Sequence, residues 1–326
     1  MKKTDNILWN IIDSLRNDIP SYEFANYMIQ LVFLKQICSS DFFPNDKEID
    51  YRLIMSVQQI FAGFDSYFNE DELFKTYNMI EKAYNIQFGS LSLSAKKLGR
   101  LFSDQTTYKR IIETLRLFSF PTDKSTMIDL INSILDEASY REGKYGGNNI
   151  TTRPINDIFS GILNAKSGGR LLIPYCGYSR LALNNDFDEI ICLSNDEDAI
   201  MISNMIMLLT GKRSFKIGRL DASEMQERSN FDKIAVDGPL TGAIYPKNIS
   251  SNSNSIRYEI FNITYPWEHL NIGGIAVITS VIAPLNTQTA QYKELRKRLI
   301  SGDLKAVINL PPLWLKTGVN TNIIVL

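Results

Sequence analysis

Hydrophobic and polar positions divide the chain into two textures. Through the first 140 or so residues the apolar side chains recur at three- and four-residue spacing, the signature of helices with one buried face. Leu8, Ile11, Ile12 and Leu15 make the first such stripe, and Phe24, Met28, Leu31, Val32 and Leu34 make the second. The second is apolar over so wide an arc that it belongs in the middle of a bundle. Pro20-Ser21 is expected to open it, with serine capping the free N–H groups. Leu73, Tyr77, Ile80 and Tyr84 repeat the pattern. So do Tyr108, Ile111, Ile112 and Leu115, and then Met127, Leu130, Ile131, Ile134 and Leu135. Nothing in this stretch alternates with period two, so residues 1–142 are predicted to form an all-helical domain.

GKYGGNN, from Gly143 to Asn149, is rich in glycine and asparagine and marks the predicted boundary. A helix follows from Pro154, with Ile155, Ile158, Phe159 and Ile162 turned inward. After Gly168-Gly169 short apolar runs alternate with longer mixed segments. The runs are Arg170–Ile173, Glu189–Leu193, Phe215–Ile217, Lys233–Val236, Ile275–Thr279, Ala306–Asn309 and Asn322–Leu326. Seven short strands, most separated by connections of helix length, predict a doubly wound α/β domain over 143–326. Ligands in such sheets bind at the carboxyl ends of the strands near the switch point, which directs attention to the residues just after the first, second and fourth strands. KNISSNSNS (247–255) is of low complexity and is expected to be a mobile loop.

Composition narrows the class without choosing a function. The 326 residues are 44% hydrophobic and 22% charged, as in ordinary globular proteins, and can build two cores. No run approaches the ~20 apolar residues of a membrane span, and the start has no export-signal character, so a cytoplasmic protein without a membrane partner is expected. Cys38, Cys176 and Cys192 are few and scattered, which suits reduced thiols, and the single His269 argues against a histidine-based metal centre. A formal net charge of −1 means that any nucleic-acid contact must use local patches or a partner. Lys293, Arg296, Lys297 and Arg298 form one such patch, and Lys96, Lys97 and Arg100 a smaller one; either is equally an ordinary solvated helix face.

Three segments in register carry a resemblance. IPSYEFANYMIQLVFLKQICS (19–39), HLNIGGIAVITS (269–280) and the run from KELRKRLI (293–300) through LKAVINLPPLWLKTGVNTNIIVL (304–326) resemble stretches of the adenine-N6 methyltransferase subunits of type I restriction-modification systems. The resemblance covers nearly the whole chain. It implies a Rossmann-like, seven-stranded S-adenosylmethionine-dependent methyltransferase sheet preceded by a helical bundle. It also implies DNA, specificity and restriction subunits, or other defence proteins as partners. Members of that family continue past the seventh strand, so their C-terminal segment and the contacts it makes are expected to be missing from this chain.

The family's motifs map onto altered residues. Its cofactor turn, Asp-Pro-x-Cys-Gly-x-Gly-Gly-like, falls on Ile173-Pro174-Tyr175-Cys176-Gly177-Tyr178-Ser179-Arg180. Pro174, Cys176 and Gly177 keep the pattern, whereas the acid and the later glycines are gone and two tyrosines add bulk. The acidic residue that holds the ribose hydroxyls falls on Ser194, with Asp196 or Glu197 able to substitute if the register slips by two or three residues, although these acids are better placed at the start of the following helix, where its dipole favours them. Asp221 fits the position near the adenine of the cofactor, and Thr152 is carried over as a further cofactor contact. Asn-Pro-Pro-Phe, which holds a flipped adenine, becomes Asp237-Gly238-Pro239-Leu240. Leu240 offers no π face, and stacking on a base is worth ~1–3 kcal/mol.

Two functions follow from this pattern. One is a degenerate homologue, a pseudoenzyme binding DNA or a partner in a restriction-modification or phage-defence setting, with no cofactor. The alternative is an active, S-adenosylmethionine-dependent adenine-N6 DNA methyltransferase working with a specificity subunit. In that case Asp237 and the Gly238 carbonyl would accept bonds from the adenine amino group, and catalysis would rest on positioning. The turn after the first strand discriminates between them. An open cavity with Asp196 or Glu197 inward favours the enzyme; Tyr175, Tyr178 or Arg180 filling it favours the binding module.

Overall fold

The computed structural model describes residues 19–39, 42–43, 48–62, 68–146, 150–163, 168–219, 230–244, 255–311 and 320–326, with the backbone alone for 142–146. The first predicted helix (8–15), most of the 247–255 loop and Asp221 lie outside these residues. Two compact units emerge: residues 1–150 together with 196–213, and residues 151–195 together with 214–326.

The first unit is helical. Its helices are α1 (Phe24–Ile37), α2 (Tyr51–Gln58), α3 (Glu70–Ala83), α4 (Leu93–Leu101), α5 (Gln105–Leu117) and α6 (Lys124–Gly146), joined by α8 (Glu197–Leu209) from later in the chain. Helix α1 is buried everywhere except Tyr27 and Lys35, as its continuous apolar surface requires. Asp50, Asn69, Asp104 and Asp196 cap their helices by accepting from backbone N–H groups in the first turn. Ser21 does not: it starts a single 3₁₀ turn, Ser21–Glu23, and no side chain caps α1. Helix α6 also runs on through Gly143 to Gly146, so the glycines end the helix later than their propensity suggests.

Helix α8 packs on α1 and α6. A polar chain ties it there. Asp198 accepts from Asn26 Nδ2 (3.1 Å) and from Lys97 Nζ (2.7 Å), Gln30 donates to Asn26, and Ser94 donates to Gln30 Oε1 (2.6 Å). Asn26, Gln30 and Ser94 are all buried, so each hydrogen bond satisfies a group that water cannot reach.

The second unit is a mixed sheet of order β3-β2-β1-β4-β7-β9-β8. Its strands are β1 (Arg170–Ile173), β2 (Glu189–Ser194), β3 (Phe215–Arg219), β4 (Phe231–Val236), β7 (Leu270–Val281), β8 (Ala306–Asn309) and β9 (Thr321–Val325). The first five in this order run parallel, and β9 is antiparallel to both neighbours. All seven predicted strands are present. Two further short strands, β5 (Ala243–Ile244) and β6 (Ile256–Arg257), pair antiparallel beside the sheet. Strand β7 begins five residues earlier than its apolar run, and its register against β4 shifts between Phe231 and Lys233. A Cβ on Gly274 would lie 2.9 Å from the Asp232 carbonyl oxygen, so only glycine passes at that shift.

Helix α7 (Arg153–Leu163) lies against β7 and against the 3₁₀ turn Arg180–Ala182. It buries Ile155, Asn156, Phe159 and Leu163, a stripe displaced from the predicted one because Ile158 and Ile162 stay partly exposed. Two short helices, α9 (Tyr258–Thr264) and α10 (Pro266–His269), precede β7, and α11 (Ala283–Asn286) and α12 (Ala290–Arg298) follow it. Because β1 pairs with β2 on one side and β4 on the other, the switch point lies between the ends of β1 and β4.

Candidate functional site

Every residue of the candidate site comes from the second unit, where the turn after β1 faces the loop after β4. At the β1 end the Cys176 N–H donates to the Leu193 carbonyl (3.0 Å), and the Ser179 N–H donates back to the Cys176 carbonyl (2.6 Å). Gly177 and Ser179 both adopt left-handed backbone, at φ 46° and 55°. Ser179 thus keeps the conformation for which a glycine would be the natural choice. Its hydroxyl faces the Cys192 sulfur at 3.7 Å. The neighbouring Cys176 thiol, together with burial, holds the Cys192 thiol well above its usual range.

Arg180 occupies the place of a glycine in the family pattern, and it is only 2% exposed. Its Nη1 donates to the Thr151 carbonyl at 3.1 Å, so the side chain reaches from the turn to the segment that leads into α7. Tyr178 is buried as well. The turn is therefore lined by its own side chains rather than by bare backbone.

The acidic position at the end of β2 is Ser194, half-buried. Asp196 does not take its place. Its Oδ1 accepts from the N–H groups of Asp198 (2.8 Å) and Ala199 (3.2 Å), a capping role that the helix dipole favours. Glu197 is exposed in the first turn of α8. A cap was the less consequential use for these acids, and it is the one the backbone makes of Asp196.

After β4, Asp237 turns its carboxyl inward beside the Thr151 and Thr279 hydroxyls. Burial raises its pKa above the ordinary carboxylate value, and the two hydroxyls only partly oppose that shift. Gly238 lies directly under the Tyr175 ring: a Cβ there would be 2.5 Å from Cε2, closer still to Cδ2, and 2.9 Å from Cγ. The Tyr258 ring meets Tyr175 edge-on at 6.5 Å. The Pro239 carbonyl accepts from Asn262 Nδ2 at 3.0 Å, which pins the loop to α9. Leu240 is half-buried and supplies no aromatic face.

Among the described residues, the Thr152 hydroxyl, both amide atoms of Asn156 and the Ser160 hydroxyl are buried with no hydrogen-bond partner. They succeed one another at four-residue spacing, from the residue just before α7 and along one side of it. The sequence reading singled out Thr152 but missed Asn156, Ser160, Thr279 and Asn262; the 152–156–160 spacing was the available signal, hidden by the apolar stripe beside it. Of the expected cofactor residues, Thr152, Pro174, Cys176 and Gly177 lie around the turn, and Ser194 ends the neighbouring strand. At these positions Thr152 Oγ is sealed from solvent, Arg180 and Tyr178 are buried beside the turn, and residue 194 is a serine rather than a carboxylate.

No protein-family model matches the sequence, and no curated protein matches it either. Solved structures do match in fold. The methyltransferase subunit of the type I restriction-modification system from Streptococcus thermophilus superposes with a TM-score of 0.78 at 17% identity, covering 99% of this chain and 84% of that one. A chain from a structure of type I restriction-modification complex assembly gives 0.66 at 16% identity, covering 99% and 74%. A proposed type I modification subunit from Vibrio vulnificus gives 0.63 at 13% identity, covering 100% and 81%. The fold is thus shared across almost the entire chain, and the protein has the fold of type I restriction-modification methyltransferase subunits.

Proposed function

We propose that this chain is a type I-like methyltransferase homologue that does not transfer methyl groups and acts as a binding module in a restriction-modification or phage-defence setting. One observation carries the reading. Tyr175 covers Gly238 while Arg180 is buried against Thr151, so side chains of the chain itself occupy both the base side and the cofactor side of the switch point. A ligand would have to displace a half-buried aromatic ring packed on the sheet core and a buried guanidinium held by a backbone carbonyl.

The partner is more consistent with protein than with bare DNA. Three of the four cations on α12 are engaged: Arg296 donates to the Pro284 carbonyl (2.9 Å), Lys297 lies 3.8 Å from Glu294, and Arg298 stacks on the Trp267 ring at 3.7 Å. In the second patch Lys97 is held by Asp198. The related folds include subunits of type I assemblies, and this chain is proposed to contact companion subunits of that kind.

Isothermal titration of the purified chain with S-adenosylmethionine, and with sinefungin as a second ligand, tests the reading. No heat of binding up to millimolar ligand is expected. Micromolar binding would overturn it and restore the active adenine-N6 methyltransferase, for which Asp237→Ala should then abolish methylation without unfolding the chain.

A further inference from the structure

Helix α3 buries Leu73, Thr76, Tyr77 and Ile80 and turns its opposite side to solvent. That side carries Asp71, Phe74, Lys75 and Lys82, all exposed, with Asn78 half-buried between them. Spacings of three, four and seven residues place them in one stripe down the helix. Phe74 is 39% exposed, and among the described residues no ion pair or hydrogen bond engages Asp71, Lys75 or Lys82. Asp71 starts the stripe in the acidic first turn, beside Glu70, and Lys82 ends it in the last turn. The two lie eleven residues apart, about three turns. Just past the basic end, Phe88 is 75% exposed on the loop that leads to α4. The Glu81 carboxylate ties that loop to the last turn of α3 by accepting from the N–H groups of Gly89, Leu91 and Ser92. The Phe88 ring is thus displayed on ordered backbone, and little further ordering opposes its burial.

We propose that this face of α3 is a self-association surface, on which a second copy of the chain docks its own α3 in the antiparallel sense. A helix face that reads acid, ring, base is complementary to itself when reversed. Two-fold pairing sets Asp71 of each copy against Lys82 of the other. It also places both Phe74 rings on one flank of the seam and both Lys75 stems on the other, where their ammonium groups reach water. Charge selects this occupant. With Glu70 the stripe holds two acids and two bases, so its acidic end would repel a phosphate backbone that its basic end attracts. The net charge of −1 on the whole chain opposes self-association little. A seam of one helix pair is small beside the ~1,200–2,000 Å² of a standard interface, so the dimer is weak and reversible. The inference stands whether or not the chain transfers methyl groups.

Sedimentation velocity of the full chain, from about 1 to about 300 µM, tests this. A reversible monomer–dimer equilibrium is expected, loosened by added salt. Lys82→Glu and Asp71→Lys, each first confirmed folded by circular dichroism, should each weaken the dimer at least about tenfold, because one substitution alters two pairs of a symmetric seam. Mixed one to one, the two variants should associate to within about threefold of the parent, since opposite charges then face each other in both pairs. Phe74→Ser should also weaken the dimer while leaving the stability of the monomer unchanged, the ring being exposed there. Should a charge reversal fail to fold, Lys82→Gln and Asp71→Asn keep the side-chain shape and should still weaken the dimer about threefold. A parent that stays monomeric throughout would overturn the proposal. So would a dimer indifferent to both charge changes, or two reversed variants that do not rescue one another, because the copies would then meet through another surface.

Discussion

Asp237 is the one carboxylate of the altered motifs after β1 and β4, and its surroundings are set against its charge. Burial raises the carboxyl pKa from the ordinary 3.8, so the folded state prefers the protonated acid. The linkage has a definite sign. This contribution to stability is fully present below the unfolded value near 3.8 and is lost as pH rises through the higher folded value, at ~1.4 kcal/mol for each unit between the two. Asp237→Asn removes the ionisation while keeping a side chain of the same shape and an oxygen acceptor at the same place. The variant should therefore unfold at higher denaturant than the parent at pH 7, with the advantage shrinking toward pH 4. A parent that is already the more stable at pH 7 would mean that the carboxylate is better solvated than its enclosure implies. In sequence, Asp237, Tyr175 and Gly238 were legible as separate departures from a pattern. That two of them form one contact was not, because shape complementarity between residues 63 apart leaves no periodic trace.

The elements were legible wherever apolar periodicity is strong and less so where polar groups do the fixing. All seven strands of the sheet follow from short apolar runs: the inner strands are buried on both faces and read that way, while the edge strands β3 and β8 alternate between exposed and more buried positions. Helix starts were less predictable. Ser21 has the right chemistry for a cap but lies inside a 3₁₀ turn, and α4 begins at Leu93 with no cap of its own. A residue on another helix supplies it: Glu81, buried near the end of α3, accepts from the N–H groups of Gly89 (2.9 Å), Leu91 (2.5 Å) and Ser92 (3.0 Å). One carboxylate thus closes the α3–α4 connection by satisfying three backbone donors. Glu81→Ala would leave them without an acceptor, and the loss should be about 3 kcal/mol, given ~1–3 kcal/mol for each buried group left unpaired. Glu81→Gln, which retains one oxygen, should lose less. Chemical denaturation of the helical unit's signal checks the order. A neutral Glu81→Ala would show that water replaces the carboxylate at no cost.

For the molecule as a whole, the choice between nucleic acid and protein as partner turns on how many cations are left to meet phosphates. The net charge of −1 gives no general attraction, and the two basic patches visible in the sequence lose most of their members to internal contacts. Charge patterns along a sequence count residues, whereas the fold decides which are spent on carbonyls, rings and carboxylates; that is why the patches looked more available than they are. Each phosphate neutralised on duplex DNA contributes about −0.9 to the slope of log K against log salt. With only Lys96, Arg100 and Lys293 of those two patches uncommitted, the patches should bind duplex DNA weakly, with a slope no steeper than about −3. Fluorescence anisotropy on a labelled duplex over a salt series measures it directly. A slope of about −4 or steeper would reveal an extended phosphate track, and the partner would then be DNA itself. A shallow slope, with tight binding appearing only after companion subunits are added, is what a fold retained for protein contacts should give.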